Sequence, residues 1–215
     1  MKHKEYAVDL FSGQGGVAGA LRELGIPTNE FDIINDSSQD LTDSVVKRRL
    51  FRELRAKRIV AVMMGPPCTS FSLARNLSGA LRSREQPWGI NVTKERDKLL
   101  LKIGNECAIT CVQVMQICLR KNIPFMFENP RKSKLWQLPP VAELMEHPKI
   151  NFITTHQCQF GTRWNHIPAS CAETSTCSTC RSSRSNATRA ATSVREPSAR
   201  IGNFWALDQA TKAGP

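Results

Sequence analysis

The sequence lacks any long apolar run, and no stretch approaches the roughly 18 consecutive apolar residues that a membrane-spanning helix needs. We also expect no secretory leader, because residues 1–5 lead straight into a strand-like segment at residues 6–11. Without a leader, the eight cysteines indicate reduced thiols rather than a disulfide framework. We therefore expect no membrane partner and a location in the cytoplasm, or in the nucleus of a eukaryote; we also expect a monomer.

Acidic side chains are scarce relative to basic ones. The sequence contains 19 Asp and Glu against 30 Lys and Arg, so the formal net charge is +11. Many basic chains bind no nucleic acid, but this excess favours a polyanionic partner. The length of 215 residues is sufficient for one α/β domain with a sizeable core.

Large aliphatic residues are almost absent from the segment between His166 and Arg200, where Ile167 and Val194 stand among many Ser, Thr, Ala and Arg. Such a composition buries too little apolar surface to offset the entropy of ordering the chain. We therefore expect a folded domain at residues 1–165 and a low-complexity, disordered tail at residues 166–215.

One cysteine stands at a marked corner of the chain. The apolar run at residues 59–64 is followed by Gly-Pro-Pro-Cys-Thr-Ser-Phe-Ser at residues 65–72. The two prolines exclude a helix before Cys68, so this residue lies between a strand and the next turn. Free N–H groups of that turn favour the thiolate over a thiol of ordinary pKa, about 8.5. Cys68 is thus either a nucleophile or a buried structural cysteine.

Two further strand ends carry polar or glycine-rich segments. The strand-like residues 6–11 lead into Ser-Gly-Gln-Gly-Gly at 12–16 and a helical pattern at 17–25, an order typical of nucleotide-binding corners and of plain βα corners. The strand-like residues 123–127 end in Glu128-Asn129-Pro130, where proline keeps Asn129 out of the helical region. Glu128 is either a functional carboxylate or a solvated one.

Together these segments resemble the cytosine-C5 DNA methyltransferase family, from about Tyr6 to Trp164. Four motifs carry the resemblance in the family's order: residues 9–16 are similar to the motif that holds S-adenosylmethionine, Pro66-Pro67-Cys68 with Phe71-Ser72 to the Pro-Cys nucleophile motif, Glu128-Asn129-Pro130 to the Glu-Asn-Val motif, and Phe160-Gly161-Thr162 to Tyr-Gly-Val. The resemblance implies an α/β, Rossmann-like methyltransferase domain that depends on S-adenosylmethionine, with a mostly parallel, doubly wound sheet and helices on both faces.

The resemblance also implies catalytic roles. Cys68 would add to carbon 6 of cytosine, which makes carbon 5 nucleophilic toward a methyl group. Glu128 would protonate N3 of the base with a pKa raised by burial, and Asn129 would position that loop by hydrogen bonding. The target carbon is hidden within a DNA duplex, so base flipping is implied. An RNA cytosine-C5 methyltransferase and an inactive domain that binds only cofactor or nucleic acid are the alternatives.

A set of residues is expected around the cofactor. An acidic residue at the end of the second strand, at residues 28–34, suits ribose hydroxyls, and we select Asp32 over Glu30 and Asp36. Asp40 would contact adenine, as the family's aspartate does, or would cap the following helix. The expected cofactor-binding residues are Phe11, Ser12, Gly13, Gly15, Gly16, Asp32, Asp40, Leu41 and Pro66.

The segment at residues 74–92 is long, basic and adjacent to Cys68. A loop of this length in a compact domain is usually functional, and here it would close over DNA phosphates or simply be solvated. The expected nucleic-acid contacts are Ser72, Arg75, Arg82 and Arg84. A helix is expected at residues 93–121, with Cys107, Cys111 and Cys118 in the core and Asn105 either turned toward the loops or without a role.

The resemblance stops abruptly after Thr162, because residues 163–166 lack the expected glutamine and arginines and nothing beyond resembles a target-recognition region. We interpret the chain as truncated or frameshifted after about Trp164. Cys177 and Cys180 have the spacing of half a zinc knuckle, but a structural zinc needs four ligands, so no metal is expected.

Overall fold

The computed structural model describes residues 5–73, 75, 79–156 and 173–178, with the backbone alone described for residues 155–156 and 173–178. The strands are β1 (Tyr6–Leu10), β2 (Thr28–Phe31), β3 (Ile59–Met64), β4 (Phe125–Pro130), β5 (Asn151–His156) and β6 (Glu173–Ser178). The helices are α1 (Gly16–Glu23), α2 (Ser44–Arg55), α3 (Glu95–Lys121) and α4 (Pro139–Met145), with short 3-10 turns at Ser37–Gln39 and Lys134–Gln137.

The six strands form one sheet in the order β2-β1-β3-β4-β6-β5. Strands β2, β1, β3 and β4 are parallel, whereas β6 pairs antiparallel with both β4 and β5. The parallel strands are rich in apolar residues because such strands are covered on both faces. The expected α/β class with a mostly parallel sheet is confirmed, and the parallel part is compatible with a Rossmann-like fold.

The strand order reverses at β1, since the chain passes from β1 to β2 on one side and then to β3 on the other. Right-handed crossovers place α1 on one face of the sheet and α2 and α3 on the opposite face. In agreement, α1 packs on β1 and β2, and α2 packs on α3. None of the helices in the described ranges is long and apolar enough to cross a membrane.

Local signals set the bounds of the helices. Helix α3 has Glu95 and Asp97 in its first turn and basic residues in its last, which suits the helix dipole, and it ends at Asn122 in the left-handed conformation, with φ of 53°. Asp43, not Asp40, caps α2, because its carboxylate accepts from the N–H groups of Val45 and Val46. The alternative reading of Asp40 as the helix cap is therefore wrong.

The segment after residue 165 contains strand β6, which differs from the expectation of disorder for residues 173–178. In register, Glu128 lies opposite Thr176 and Asn129 opposite Ser175, while Phe152 of β5 lies opposite Cys177. The composition argument considered side-chain burial alone, whereas a strand between two others also satisfies its backbone groups on both edges. The expected domain boundary, the Phe160-Gly161-Thr162 motif and the remaining tail lie outside the described residues.

Candidate active site

The candidate site lies at the carboxyl ends of β1, β3 and β4. In open α/β sheets, ligands bind outside the carboxyl ends of the strands where the strand order reverses, which here is between β1 and β3. Three segments emerge at this edge: residues 11–16 after β1, residues 65–68 after β3, and Glu128 and Asn129 near the end of β4. These are the segments that carry the expected cofactor and catalytic residues.

The turn after β1 is held in shape by the end of β2. Phe11, Gly13 and Gly15 have φ values of 61°, 56° and 70°, a region where glycine is favoured. The N–H of Phe11 donates to the carbonyl of Phe31 at 2.7 Å, and the N–H of Gly13 donates to Oδ2 of Asp32 at 2.7 Å. The turn is therefore preformed by the protein itself.

Asp9 stabilises the start of α1 from within the sheet. Gly15 is the N-cap residue of α1 and has no side chain to cap it, so Oδ2 of Asp9 accepts from the N–H of Ala18 at 3.1 Å instead. Burial raises the pKa of Asp9 to about 6. Sequence reasoning missed this role, although a carboxylate inside an apolar strand was a signal for it.

The acidic residues in and after β2 have different roles. Asp32 accepts from Gly13 and, through Oδ1, from the N–H of Ile34 at 2.8 Å, so its carboxylate ties the glycine turn to β2. Glu30 pairs with Arg22 at 2.6 Å, and a Cβ on Gly15 would lie 2.4 Å from its Oε2. Asp36 caps the 3-10 turn that follows. Asp32 and Glu30 therefore both lie beside the glycine turn, and Asp32 has a structural role there.

The other expected cofactor residues occupy different environments. Asp40 accepts from the N–H and the hydroxyl of Thr42 at 2.7 and 2.8 Å, and Leu41 is buried with its carbonyl bound by the Thr110 hydroxyl at 3.1 Å. Ser12 is buried, and its Oγ has no hydrogen-bond partner in the part of the chain that the structure describes. Gly16 has ordinary φ, and a Cβ there would meet nothing within 4 Å, so the fold itself does not require glycine at this position.

The Pro-Cys and Glu-Asn segments are joined by a hydrogen bond. Nδ2 of Asn129 donates to the carbonyl of Pro66 at 3.1 Å, with both residues buried. The preceding residues of the two segments, Gly65 and Glu128, are also close, because a Cβ on Gly65 would lie 3.9 Å from Oε2 of Glu128. The structure thus brings Cys68 and Glu128 to one edge of the sheet, on two segments that are joined by a hydrogen bond.

Glu128 is a buried carboxyl group with unused hydrogen-bonding capacity. It is 8% exposed, and burial alone raises its pKa from the ordinary 4.5 to about 7. Among the described residues, its Oε1 has no hydrogen-bond partner, and the same is true of Oδ1 of Asn129. Buried polar atoms are nearly always bonded, so these two oxygens have hydrogen-bonding capacity that a polar ligand could use.

Cys68 begins a tight turn. Its carbonyl accepts from the N–H groups of Phe71 and Ser72, both at 2.8 Å. Cys68 is half-buried and is not in a disulfide, whereas Cys107, Cys111 and Cys118 of α3 are buried as expected. Burial raises the pKa of those three thiols, so Cys68 is the accessible thiol of the four.

The expected phosphate contacts are only partly exposed. Arg82 is 1% exposed, so its assignment as a phosphate contact is wrong; the loop folds back over its guanidinium. Arg75 forms an ion pair with Asp97, and Arg84 is exposed. Asn105 turns toward the loop, since its Oδ1 accepts from Arg82 at 2.7 Å and its Nδ2 donates to the Trp88 carbonyl at 2.9 Å.

The described residues contain no group of three or more His, Cys, Asp or Glu side chains that could hold a metal ion. Cys177 lies in β6, and Cys180 lies outside the described residues. No protein-family model matches the chain, and no curated protein matches it either.

Proposed function

We propose that the chain transfers a methyl group from S-adenosylmethionine to carbon 5 of cytosine in DNA. One observation carries the proposal: the bond from Asn129 to the Pro66 carbonyl brings a half-buried cysteine and a buried, partly protonated glutamate to the same edge of the sheet. Carbon 5 of cytosine needs both a nucleophile at carbon 6 and an acid at N3, and these two side chains supply them.

Cys68 is the nucleophile in this proposal. Its thiolate adds to carbon 6 of the flipped base, carbon 5 gains the methyl group, and the thiolate leaves again when carbon 5 gives its proton to a water molecule. The turn that starts at the Cys68 carbonyl fixes the direction in which the side chain leaves the backbone. An exposed loop would offer a thiol of similar reactivity but no fixed approach to the base.

Glu128 is the proton donor to N3. An exposed glutamate is ionised at pH 7 and cannot donate, but with a pKa of about 7 roughly half of the Glu128 side chains are protonated there. The unpartnered Oε1 is an atom that can form the new hydrogen bond without breaking an existing one. Asn129 is a positioning residue in this proposal, since its hydrogen bond to the Pro66 carbonyl holds the end of β4 next to the segment that carries Cys68.

The turn after β1 fits S-adenosylmethionine, which would supply an electrophilic methyl group. Within the described residues, Ser12 has a buried hydroxyl without a partner and Gly16 leaves open space at the start of α1, where the positive end of the helix dipole favours a carboxylate. Glu30 and Asp32 lie beside the turn and would face ribose hydroxyls. These features support cofactor binding at the turn after β1 through Ser12, Gly16 and Asp32, whereas the Leu41 side chain belongs to the core.

DNA is the proposed polyanion. The net charge of +11 supports association with phosphates, and Arg84, in the loop that follows Cys68 in the sequence, is exposed. Arg82 is excluded from this role by its burial.

A covalent trap tests the proposal. DNA that carries 5-fluorocytosine should form a stable adduct with the chain in the presence of S-adenosylmethionine, because fluorine at carbon 5 blocks the release of Cys68. The substitution Cys68→Ser should abolish the adduct, and DNA with ordinary cytosine is the control that should give none. An adduct that persists in Cys68→Ser would remove Cys68 from the mechanism.

A second measurement separates the alternatives. Tritiated S-adenosylmethionine is incubated with the full chain and either DNA or RNA, and label in each polymer is counted. Label in RNA alone would replace DNA as the substrate. Cofactor binding by calorimetry without label in either polymer would identify an inactive binding domain.

A further inference from the structure

Arg82 is a buried cation with an unusual set of partners. Its Nε donates to the Ser70 carbonyl at 3.1 Å and its Nη2 to the Ser70 hydroxyl at 2.9 Å. Its Nη1 donates to the carbonyl of Pro87 at 2.8 Å and to Oδ1 of Asn105 at 2.7 Å. The guanidinium carbon lies 3.7 Å from the centroid of the Phe71 ring. One side chain thus joins the turn after Cys68, the basic loop and helix α3.

No ion pair joins Arg82 to a carboxylate of the described residues. All four of its acceptors are neutral, and desolvation lowers its pKa to about 10. Burying a cation without a counter-ion is costly, and an apolar side chain of similar size would fill the space without that cost. The planar fork of arginine, however, can bind several acceptors at fixed angles, which an apolar side chain or lysine cannot do.

The residues that Arg82 holds belong to the turn that Cys68 starts. Phe71 and Ser72 donate their N–H groups to the Cys68 carbonyl, and Ser70 lies between them and the cysteine in sequence. The Phe71 carbonyl in turn accepts from the N–H of Lys134 at 3.0 Å. Behind the turn, a Cβ on Gly104 would lie 2.4 Å from Oγ of Ser70, so α3 presses directly on it.

We propose that Arg82 is a positioning residue for Cys68, which fixes the turn at residues 68–72 by its bonds to Ser70 and its stacking on Phe71. The methyl transfer in which Cys68 would take part rests on the proposed function, but the effect of Arg82 on the reactivity of the Cys68 thiol does not. Two consequences follow. The backbone of the turn keeps its conformation, and the positive charge of Arg82 stays stacked on Phe71, three residues after the cysteine, so the thiolate is favoured.

The pH dependence of Cys68 alkylation tests this inference. The full chain is treated with iodoacetamide over a range of pH, and modification of the Cys68 peptide is followed by mass spectrometry. In Arg82→Met the midpoint should rise by about one unit, because a nearby positive charge lowers the pKa of a thiol. Arg82→Lys keeps the charge without the fork and should recover that shift only in part. Arg48→Met, which removes an exposed arginine of α2, should leave the midpoint unchanged.

A second pair of variants covers the case in which Arg82→Met does not fold. Gly104→Ala places a methyl group 2.4 Å from Oγ of Ser70, 3.0 Å from Nη2 of Arg82 and 3.3 Å from the Phe71 ring, so it disturbs the contact between Arg82 and the turn while Arg82 keeps its charge. Its Cys68 midpoint should rise, and the double variant Ser70→Ala/Gly104→Ala, which lacks the oxygen of the shortest contact, should return part of the way toward the value of Ser70→Ala. A midpoint at the wild-type value in Gly104→Ala, or in a folded Arg82→Met, would overturn the inference.

Methyl transfer is then measured separately in the same variants. A positioning role predicts a kcat about tenfold lower with little change in the KM for S-adenosylmethionine. If the wild-type chain alkylates in an Arg82-dependent way but transfers no methyl group, the proposed function fails and the inference stands. If it methylates DNA and the Arg82 variants alter neither midpoint nor kcat, the reverse holds.

Discussion

Two buried carboxyl groups at the same end of the sheet differ in what they contact. Asp9 of β1 and Glu128 of β4 are 4% and 8% exposed, and burial raises the pKa of both, to about 6 and about 7. Asp9, however, accepts a hydrogen bond from the N–H of Ala18, whereas Oε1 of Glu128 has no partner within the described part of the chain. The two carboxyl groups are thus buried to a similar extent, but only that of Asp9 accepts a hydrogen bond from a described residue.

The difference separates a structural acid from one with an available function. Asp9 replaces the cap that Gly15 cannot provide, so its cost of burial is offset by the start of α1. Glu128 has no such compensation within the described structure, and an unpartnered buried oxygen is stable only where something else is gained. We infer that the gain at Glu128 is a contact with substrate.

The largest expected effect is on methyl transfer. Glu128→Gln cannot donate a proton, so the initial rate on DNA should fall by a factor of about 10² to 10⁴. Asp9→Asn keeps an acceptor for Ala18 and should change the rate by less than about tenfold. The measurement is label transferred from tritiated S-adenosylmethionine. Equal losses in the two variants would show that the comparison between the two acids is wrong.

The next effect is on the pH dependence of stability. Glu128 has a folded-state pKa of about 7 against an ordinary 4.5, so the folded state binds more protons between these values. Its contribution to stability is complete below pH 4.5 and is lost as the pH rises through 7, about 3 kcal/mol at most. Because the pKa of Asp9 is about 6, the loss above pH 6 comes mainly from Glu128.

Urea unfolding between pH 6 and 8 measures the last part of this loss, about 1.3 kcal/mol for these two pKa values. Glu128→Gln should remove most of the decrease in the free energy of unfolding, and Asp9→Asn should leave it in place. A decrease that persists in Glu128→Gln would assign the raised pKa to another group.

A smaller effect is expected from the hydrogen bond at Asp9. Asp9→Leu leaves the N–H of Ala18 without a partner, whereas the isosteric Asp9→Asn keeps one, so the leucine variant should be less stable by about 1–3 kcal/mol. The matched pair Glu128→Met and Glu128→Gln should differ by less than about 0.5 kcal/mol, because no protein donor loses its partner there. Denaturant midpoints at one pH give both differences. A larger gap at position 128 would mean that the Glu128 oxygens have a protein partner.

The sequence was sufficient to predict which residues lie at the carboxyl ends of the strands. It was not sufficient to predict which residues of the loop after Cys68 are buried. Apolar runs that end in glycine, proline or Glu-Asn are local signals, and parallel strands bring their carboxyl ends together, so Cys68 and Glu128 could be placed at one edge. Arg82 was expected to contact DNA phosphates because its loop is basic, polar and close to Cys68 in the sequence. Its burial depends on Asn105, 23 residues later in the chain, which no local pattern indicates.

Two other differences have the same origin. The role of Asp9 depends on Ala18 in the next element, and the capping of a helix from a strand leaves no spacing that a sequence search would use. Strand β6 depends on β4 and β5 for its pairing, so its own polar composition argued against order. Long-range partners, rather than local propensity, decided each case.

The smallest expected effect compares two glycines at the ends of α1. Gly15 and Gly25 have φ values of 70° and 78°, so an alanine at either position pays a similar backbone cost of about 1 kcal/mol. A Cβ on Gly25 meets nothing within 4 Å, whereas one on Gly15 would lie 2.4 Å from Oε2 of Glu30. Gly15→Ala must therefore also displace the carboxylate that Arg22 holds, and it alters the turn next to Ala18 and Asp9. Thermal unfolding should show Gly15→Ala to be less stable than Gly25→Ala by about 1 kcal/mol.

Calorimetric titration with S-adenosylmethionine should show about tenfold weaker binding for Gly15→Ala and unchanged binding for Gly25→Ala, since only the first lies at the carboxyl end of β1. Equal affinities of the two variants for S-adenosylmethionine would show that the turn after β1 does not bind the cofactor and that Asp9 and Gly15 have structural roles only.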